Sequence, residues 1–251
     1  MYYFIVNPSA GSGSGMKKWK MIAALLKKQN LPYKVYFTRK SGDAVRFAQA
    51  ITSRHEPLIL AALGGDGTAN EILNGICDFE NTIFSYIPTG SSNDLARALN
   101  LPDAPEESLA LLLNPEHIHA LDVGCIQSGE DSRRFFVSSG VGFDASVCHE
   151  ALSSRLKKLL NRFHLGKLTY LGIALKQIML LKGTPAKLAF DDGRAFSFPR
   201  IFFCAFMNTK YEGGGFQMCP DALPDDGFLD VCLVEKVPKL KFLRVLPSAF
   251  S

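Results

Sequence analysis

The stretch Leu58–Gly75, LILAALGGDGTANEILNG, holds the residue types whose spacing speaks most directly of chemistry. The apolar run Leu58–Leu63 suits a buried strand. Gly64, Gly65, Asp66 and Gly67 follow, then Thr68, Ala69, Asn70 and Glu71. Thr68 and Glu71 have capping-box spacing, which predicts a helix starting there and burying Ile72, Leu73 and Ile76. A strand, a glycine turn and a helix N-terminus together make an anion site. The glycines let backbone N–H groups approach, and the helix end supplies partial positive charge. Asp66 stands where a bare phosphate would be repelled. A divalent cation, or water around one, held between Asp66 and phosphate oxygens resolves that conflict.

Other loops carry related chemistry. Ser9-Ala10-Gly11-Ser12-Gly13-Ser14-Gly15 is not a dinucleotide fingerprint, because Met16 stands where glycine is required, and no Gly-Lys-Ser/Thr closes it as a Walker loop. It reads as a flexible linker or, from its place between a strand and a helical pattern, as a phosphate contact. Arg39 and Lys40, in the loop Thr38–Asp43, face either an anion or solvent. Thr89–Asp94 is a third polar turn. Asp122 lies in the apolar run Ala120–Gly124, where a carboxylate needs a metal, a water network or a basic partner unless it faces solvent. After Gly213-Gly214-Gly215, the residues Asp221, Asp225 and Asp226 crowd a proline-bracketed turn. They read as hard-cation ligands beside available carbonyls, or as an acidic surface turn.

These loops need elements to hold them. Strands are predicted at Tyr2–Val6, Tyr33–Phe37, Leu58–Leu63, Thr82–Ile87 and His117–Cys125. Helical patterns alternate with them at Met16–Gln29, Asp43–Ser53, Leu95–Leu99 and Glu106–Leu113. Such alternation predicts a parallel sheet covered on both faces, with its ligand crevice at the carboxyl ends of the strands. After Gly124 the texture becomes strand-rich: Phe135–Gly142, Lys187–Phe190, Arg200–Met207 and Phe228–Val234, with hairpin chemistry at Asp191-Asp192-Gly193. Ala151–Lys182 interleaves basic and apolar residues, as a helix pair that lies on an anionic bilayer or covers its own sheet.

With 47% hydrophobic and 21% charged residues among 251, the chain can bury a substantial core, which predicts two domains, 1–122 and 123–251. A net charge of +4 suits an anionic ligand or membrane surface and falls short of a nucleic-acid footprint. The scattered cysteines read as buried thiols of a reducing cytoplasm. The N-terminus lacks the pattern of a signal peptide, and no uncharged apolar run approaches membrane-spanning length.

Taken together, these stretches resemble the diacylglycerol kinase catalytic-domain family of bacterial soluble lipid kinases, related to ceramide and sphingosine kinases. Asn7-Pro8-Ser9-Ala10-Gly11 resembles its NPxxG loop, Gly64–Asn70 its GGDGTxN signature, and Thr89–Asp94 its G-T/S-x-N-D turn. Leu121–Gly124 resembles its VDxG strand, and Gly213–Asp230 the GGG…P-x-A…DG-x-LD segment. The resemblance implies an α/β fold, an N-terminal Rossmann-like parallel sheet with helices on both faces followed by a β-rich, sandwich-like second domain. It implies ATP held by Asn7, Pro8, Ser9, Ala10, Gly11, Thr38, Gly64, Gly65, Asp66, Gly67, Thr68, Ala69, Asn70 and Ser91. Asp66 and Asp122 would organise a catalytic Mg2+ and its waters. A structural Mg2+ would take the Asp226 side chain and the carbonyls of Leu223 and Phe228. The γ-phosphate would pass in line to a lipid hydroxyl in an interdomain cleft. The implied partners are ATP, a lipid substrate, a peripheral membrane surface and a second copy of the chain as a homodimer, with no nucleic acid. The implied location is the cytoplasm.

Two departures qualify the likeness. Ser138 stands where relatives carry Asn in an F-x-N strand. The family's general base, a Glu after Asp-Gly near the C-terminus, has no counterpart in the 251 residues, which end at Ser251 in the helix-like segment Lys239–Phe250. That predicts a fragment of a longer kinase or a pseudokinase that binds nucleotide and lipid. Without a base, worth ~10²–10⁴-fold, this chain alone would be feeble. The GGDGT core is also shared with NAD kinases, an alternative the Gly213–Asp230 segment argues against.

Overall fold

The computed structural model describes residues 1–142, 182–238 and 241. The amphipathic stretch Ala151–Lys182, apart from Lys182, and the segment Lys239–Phe250, apart from Lys241, lie outside the described residues. Two compact units are present. The first comprises Met1–Val137, Asn208–Phe216 and Leu223–Phe228, and the second Ser138–Met207, Gln217–Ala222 and Leu229–Ser251.

In the first unit, β1 (Tyr2–Val6), β2 (Tyr33–Phe37), β3 (Leu58–Gly64) and β4 (Thr82–Pro88) form a parallel sheet of order β2-β1-β3-β4. Side chains alternate across a strand, so each strand feeds two cores. Tyr3, Ile5, Leu60, Ala62 and Tyr86 face one side, where α2 (Asp43–Thr52) supplies Ala44, Ala48 and Ile51, and α3 (Asp66–Gly75) supplies Ile72 and Leu73. Phe4, Val6, Ala61, Leu63 and Ile87 face the other, against Trp19, Ile22 and Leu26 of α1 (Ala10–Lys28) and Leu109 of α5 (Pro105–Leu113). Helices therefore cover both faces, as the alternation of elements predicts. α4 (Asp94–Ala98) follows β4 directly.

Three local expectations are corrected. The helix after Gly65 begins at Asp66 without a side-chain cap. Glu71 instead accepts hydrogen bonds from Ser41 Oγ and the Gly42 amide, both at 3.0 Å, because long-range partners outcompete the local box. Residues 118–123 form no strand. β5 (Gly124–Ser128) instead pairs antiparallel with β6 (Asp131–Phe135) as a hairpin, so Asp122 stands in a loop. Cys77 and Cys125 are exposed thiols, and Cys204 alone among the described cysteines is buried.

The second unit is antiparallel. β9 (Ala195–Met207) is its spine, pairing with β8 (Thr184–Ala189) along its first half and with β7 (Ser138–Gly142) and β10 (Asp230–Glu235) along its second. Asp191-Asp192-Gly193 closes the β8–β9 hairpin, with Gly193 at φ 84°, the left-handed backbone such turns need. Phe202, Phe203, Ala205 and Met207 form its core. Among the described residues, no helix is long and apolar enough to cross a membrane.

Candidate nucleotide and metal site

The carboxyl ends of β1, β3 and β4 each open into a polar loop, and hydrogen bonds tie the three loops into one cradle. Asn7 Nδ2 donates to Thr68 Oγ1 at 3.2 Å, and its Oδ1 accepts from the Ser9 amide at 3.1 Å. Ser14 Oγ donates to the Thr89 carbonyl at 2.9 Å, and the Thr89 amide to the Gly64 carbonyl at 2.8 Å. Glycine is required by contact: a Cβ on Gly90 would stand 2.6 Å from Gly65 Cα, and one on Gly64 2.4 Å from Thr68 Cβ. These contacts bring Asn7, Gly11, Gly64, Gly65 and Thr68 together, whereas Ala69 is buried in the sheet's core and Ser9, Gly67 and Ser91 are exposed. The stretch before Met16 is the start of α1 rather than a flexible linker, kinked where Gly11, Ser12 and Gly13 take left-handed φ values of 54°, 57° and 96°.

Thr38 follows β2 directly, its amide donating to the Val6 carbonyl at 2.9 Å. The loop behind it is gripped by Glu71 and by Asp43, whose Oδ2 accepts from the amides of Arg39 and Lys40 at 2.9 and 3.1 Å. The Arg39 amide is the main influence holding the Asp43 pKa below its ordinary 3.8, against the opposing effect of burial, with Lys40 and Arg46 assisting. A folded-state value below the unfolded one means the stabilisation is complete above the unfolded pKa and vanishes as pH falls through the folded one. Asp43→Asn should therefore flatten the acid limb of the Tm–pH profile. Equal acid slopes in variant and parent would show that Asp43 does not hold this loop.

Asp66 is the centre of the cradle. Its Oδ2 accepts from the Asp94 amide at 3.0 Å and its Oδ1 from the Leu95 amide at 3.2 Å, so it caps α4 from a distance. Tyr86 Oη reaches Asp66 Oδ1 at 3.5 Å and Asn93 Oδ1 at 3.2 Å. Burial, first, and then the Asp66 charge push the phenol pKa up, which keeps it a proton donor. Asp94 is buried; burial raises its pKa and the Asp66 charge adds to this, while the Gly214 amide, donating to Oδ2 at 2.8 Å, pulls the other way. Asp94 Oδ1 is buried without a hydrogen-bond partner among the described residues. Two neighbouring carboxylates with an orphaned acceptor suit a hard divalent cation.

Asp122 is placed by the acidic turn. Its amide donates to the Pro224 carbonyl at 2.7 Å, and its Oδ2 accepts from the Gly227 amide at 2.6 Å. Asn208 Nδ2 donates to the carbonyls of Asp122 and Phe136 at 2.8 and 2.9 Å. Within the turn, Asp226 Oδ1 accepts from the Phe228 amide at 3.0 Å, and no described donor uses the carbonyls of Leu223 or Phe228. Leu223, Asp226 and Phe228 lie on one exposed turn, and carbonyl and carboxylate oxygens are of the type hard cations take. Tyr86, Asp94 and Asn208 escaped sequence reasoning as site residues. Tyr86 looks like any strand aromatic, and Asp94 lies within a quoted turn whose carboxylate direction only the fold reveals.

Residues 1–126 match the model described as diacylglycerol kinase catalytic domain, and residues 137–251 that described as YegS C-terminal NAD kinase beta sandwich-like domain. The chain is 30% identical over 247 residues to the "Putative lipid kinase YtlR" of Bacillus subtilis, covering 96% of this chain and 79% of that protein. It is 27% identical to a diacylglycerol kinase of the same organism, covering 98% and 77%. A solved structure titled "A putative diacylglycerol kinase from Bacillus anthracis str. Sterne" superposes with a TM-score of 0.72 at 26% identity, covering 98% of this chain and 79% of that one.

Proposed function

Because the chain belongs to the diacylglycerol kinase catalytic-domain family, we propose that it is an ATP- and Mg2+-dependent kinase that phosphorylates a hydroxyl of diacylglycerol or a related lipid. The observation that carries this reading is the Asp66–Asp94 pair behind a backbone-lined cradle, with a buried acceptor left unpartnered. The exposed backbone at Gly67, with the N-terminus of α3, binds and orients the phosphate chain. Thr38 and Ser91 border the nucleotide. Asp66 and Asp94 would hold the catalytic Mg2+ with Asp122 acting on its waters, and Asp226 with the Leu223 and Phe228 carbonyls would hold the structural ion. Bound Mg2+ supplies neutralisation of phosphate charge, which this class of transfer chiefly demands. A location at the cytoplasmic membrane surface, reached through residues 151–182, belongs to the same proposal.

The test is a lipid panel incubated with Mg2+ and ATP labelled in the γ position, using the protein expressed from its natural reading frame. Labelled phosphomonoester lipid is the expected product. MgATP binding with no labelled lipid would overturn the lipid kinase reading in favour of a nucleotide-binding role, and labelled NADP formed when NAD is added would mean an NAD kinase-like enzyme.

A further inference from the structure

In the second unit, three cations stand around one open hollow of about 720 Å³: Lys182, Arg200 and Lys236, with Phe202, Val237 and Pro238 completing its wall. The fold forces them together. The Lys236 amide donates to the Arg200 carbonyl at 2.9 Å. A Cβ on Gly183 would stand 2.9 Å from that of Arg200 and 3.4 Å from that of Lys236. No described acid forms an ion pair with any of the three. Glu235, adjacent in sequence, is in register with Ile201 instead. Three cations around one hollow with no ion pair among the described residues make it electropositive, so an anion placed there gains charge-assisted hydrogen bonds.

We propose that this hollow seats the phosphate headgroup of an anionic phospholipid and so holds the second unit on a bilayer. The proposal rests on the reading that the substrate is a lipid. Two features favour a phospholipid over free phosphate. Val237 and the exposed Pro238 give the rim an apolar side suited to the acyl boundary. The exposed Lys241 follows within one turn of chain, its amide bonded to the Pro238 carbonyl at 2.9 Å, extending the basic surface that anionic leaflets attract.

The experiment is sedimentation of the protein, without nucleotide, on phosphatidylcholine vesicles with and without phosphatidylglycerol. Lys182→Gln, Arg200→Gln and Lys236→Gln should each lower the partition coefficient on the anionic vesicles about fivefold, the equivalent of the ~1 kcal/mol one basic residue contributes there. The triple variant should lose on the order of 100-fold, with an unchanged melting temperature. Neutralising the exposed Lys17, Lys20 and Lys28 of α1 instead should leave partitioning within about twofold of the parent. Equal losses in the two triple variants, or release of the parent by inorganic phosphate at constant ionic strength, would overturn the headgroup site. Since the readout is binding, a protein that phosphorylates no lipid yet shows this pattern would refute the kinase reading and leave the site standing.

Discussion

Asp66→Ala is expected to lower lipid phosphorylation by on the order of 10²–10³-fold, the scale of removing one preorganised charge-stabilising group from a reacting centre. The carboxylate has two tasks in the structure. It accepts hydrogen bonds from the amides of Asp94 and Leu95, fixing the N-terminus of α4, and it sets its charge beside Asp94, whose Oδ1 is buried without a hydrogen-bond partner among the described residues. Losing the cap should cost about 1 kcal/mol, or a Tm decrease of roughly 2–4 °C in a domain of this size. Removing its repulsion of Asp94 offsets part of that. The protein should therefore remain folded at assay temperature, and the activity loss cannot be assigned to unfolding. Asp66→Asn separates the tasks, because one amide oxygen still accepts from α4 while the charge is gone. An Asn variant as impaired as the Ala variant identifies the charge as the functional element. Full activity in either variant would sink the mechanism.

Gly15→Ala should produce the largest loss of stability of any single methyl group in the cradle. Its Cβ would lie 2.1 Å from the Asn7 carbonyl oxygen and 3.3 Å from the carbonyl carbon. That oxygen has no room to retreat. The Asn7 amide is bonded to Leu63 in the neighbouring strand, and its side chain is held by Thr68 and Ser9. Overpacking against rigid backbone belongs at the upper end of the usual range, about 3 kcal/mol, and should lower Tm by roughly 6–12 °C. Displacing Asn7 would also open the phosphate wall, so MgATP affinity should fall with stability. Gly67→Ala is the counterpart. A Cβ there meets no atom within 4 Å, and the residue lies in α3, so Tm should hold or rise slightly through helix propensity. Thermal melts of the two variants side by side check the pair. A Gly15→Ala protein melting with the parent would show that the α1–β1 contact yields readily.

The N-terminal half of the fold was legible because its determinants are local. A strand buried on both faces reads as a continuous apolar run, and the helices between strands carry a one-sided apolar stripe. The glycine-rich turns mark where backbone must approach backbone or ligand. Those signals place Asn7–Gly11, Gly64–Asn70 and Thr89–Asp94 at strand ends without any tertiary information. They fail where partners are remote in sequence. Glu71 abandons its capping-box partner for Ser41 and Gly42, and Asp122 leaves its apolar run for a loop anchored by Pro224 and Gly227. Each choice is made by hydrogen bonds across roughly thirty to a hundred residues, which no window of sequence contains.

The Gly64–Gly67 turn shows the division most clearly. Its sequence alone determined a strand, a glycine turn and a helix N-terminus around an acid that needs company, because glycine freedom, strand burial and helix dipole are properties of neighbouring residues. Only the tertiary structure decided that the company is Asp94, Leu95 and Tyr86, and that Gly214 steadies Asp94 from a loop 120 positions downstream. The reason is physical. A carboxylate's behaviour depends on burial, on the charges beside it and on the donors that reach it, and folding sets all three.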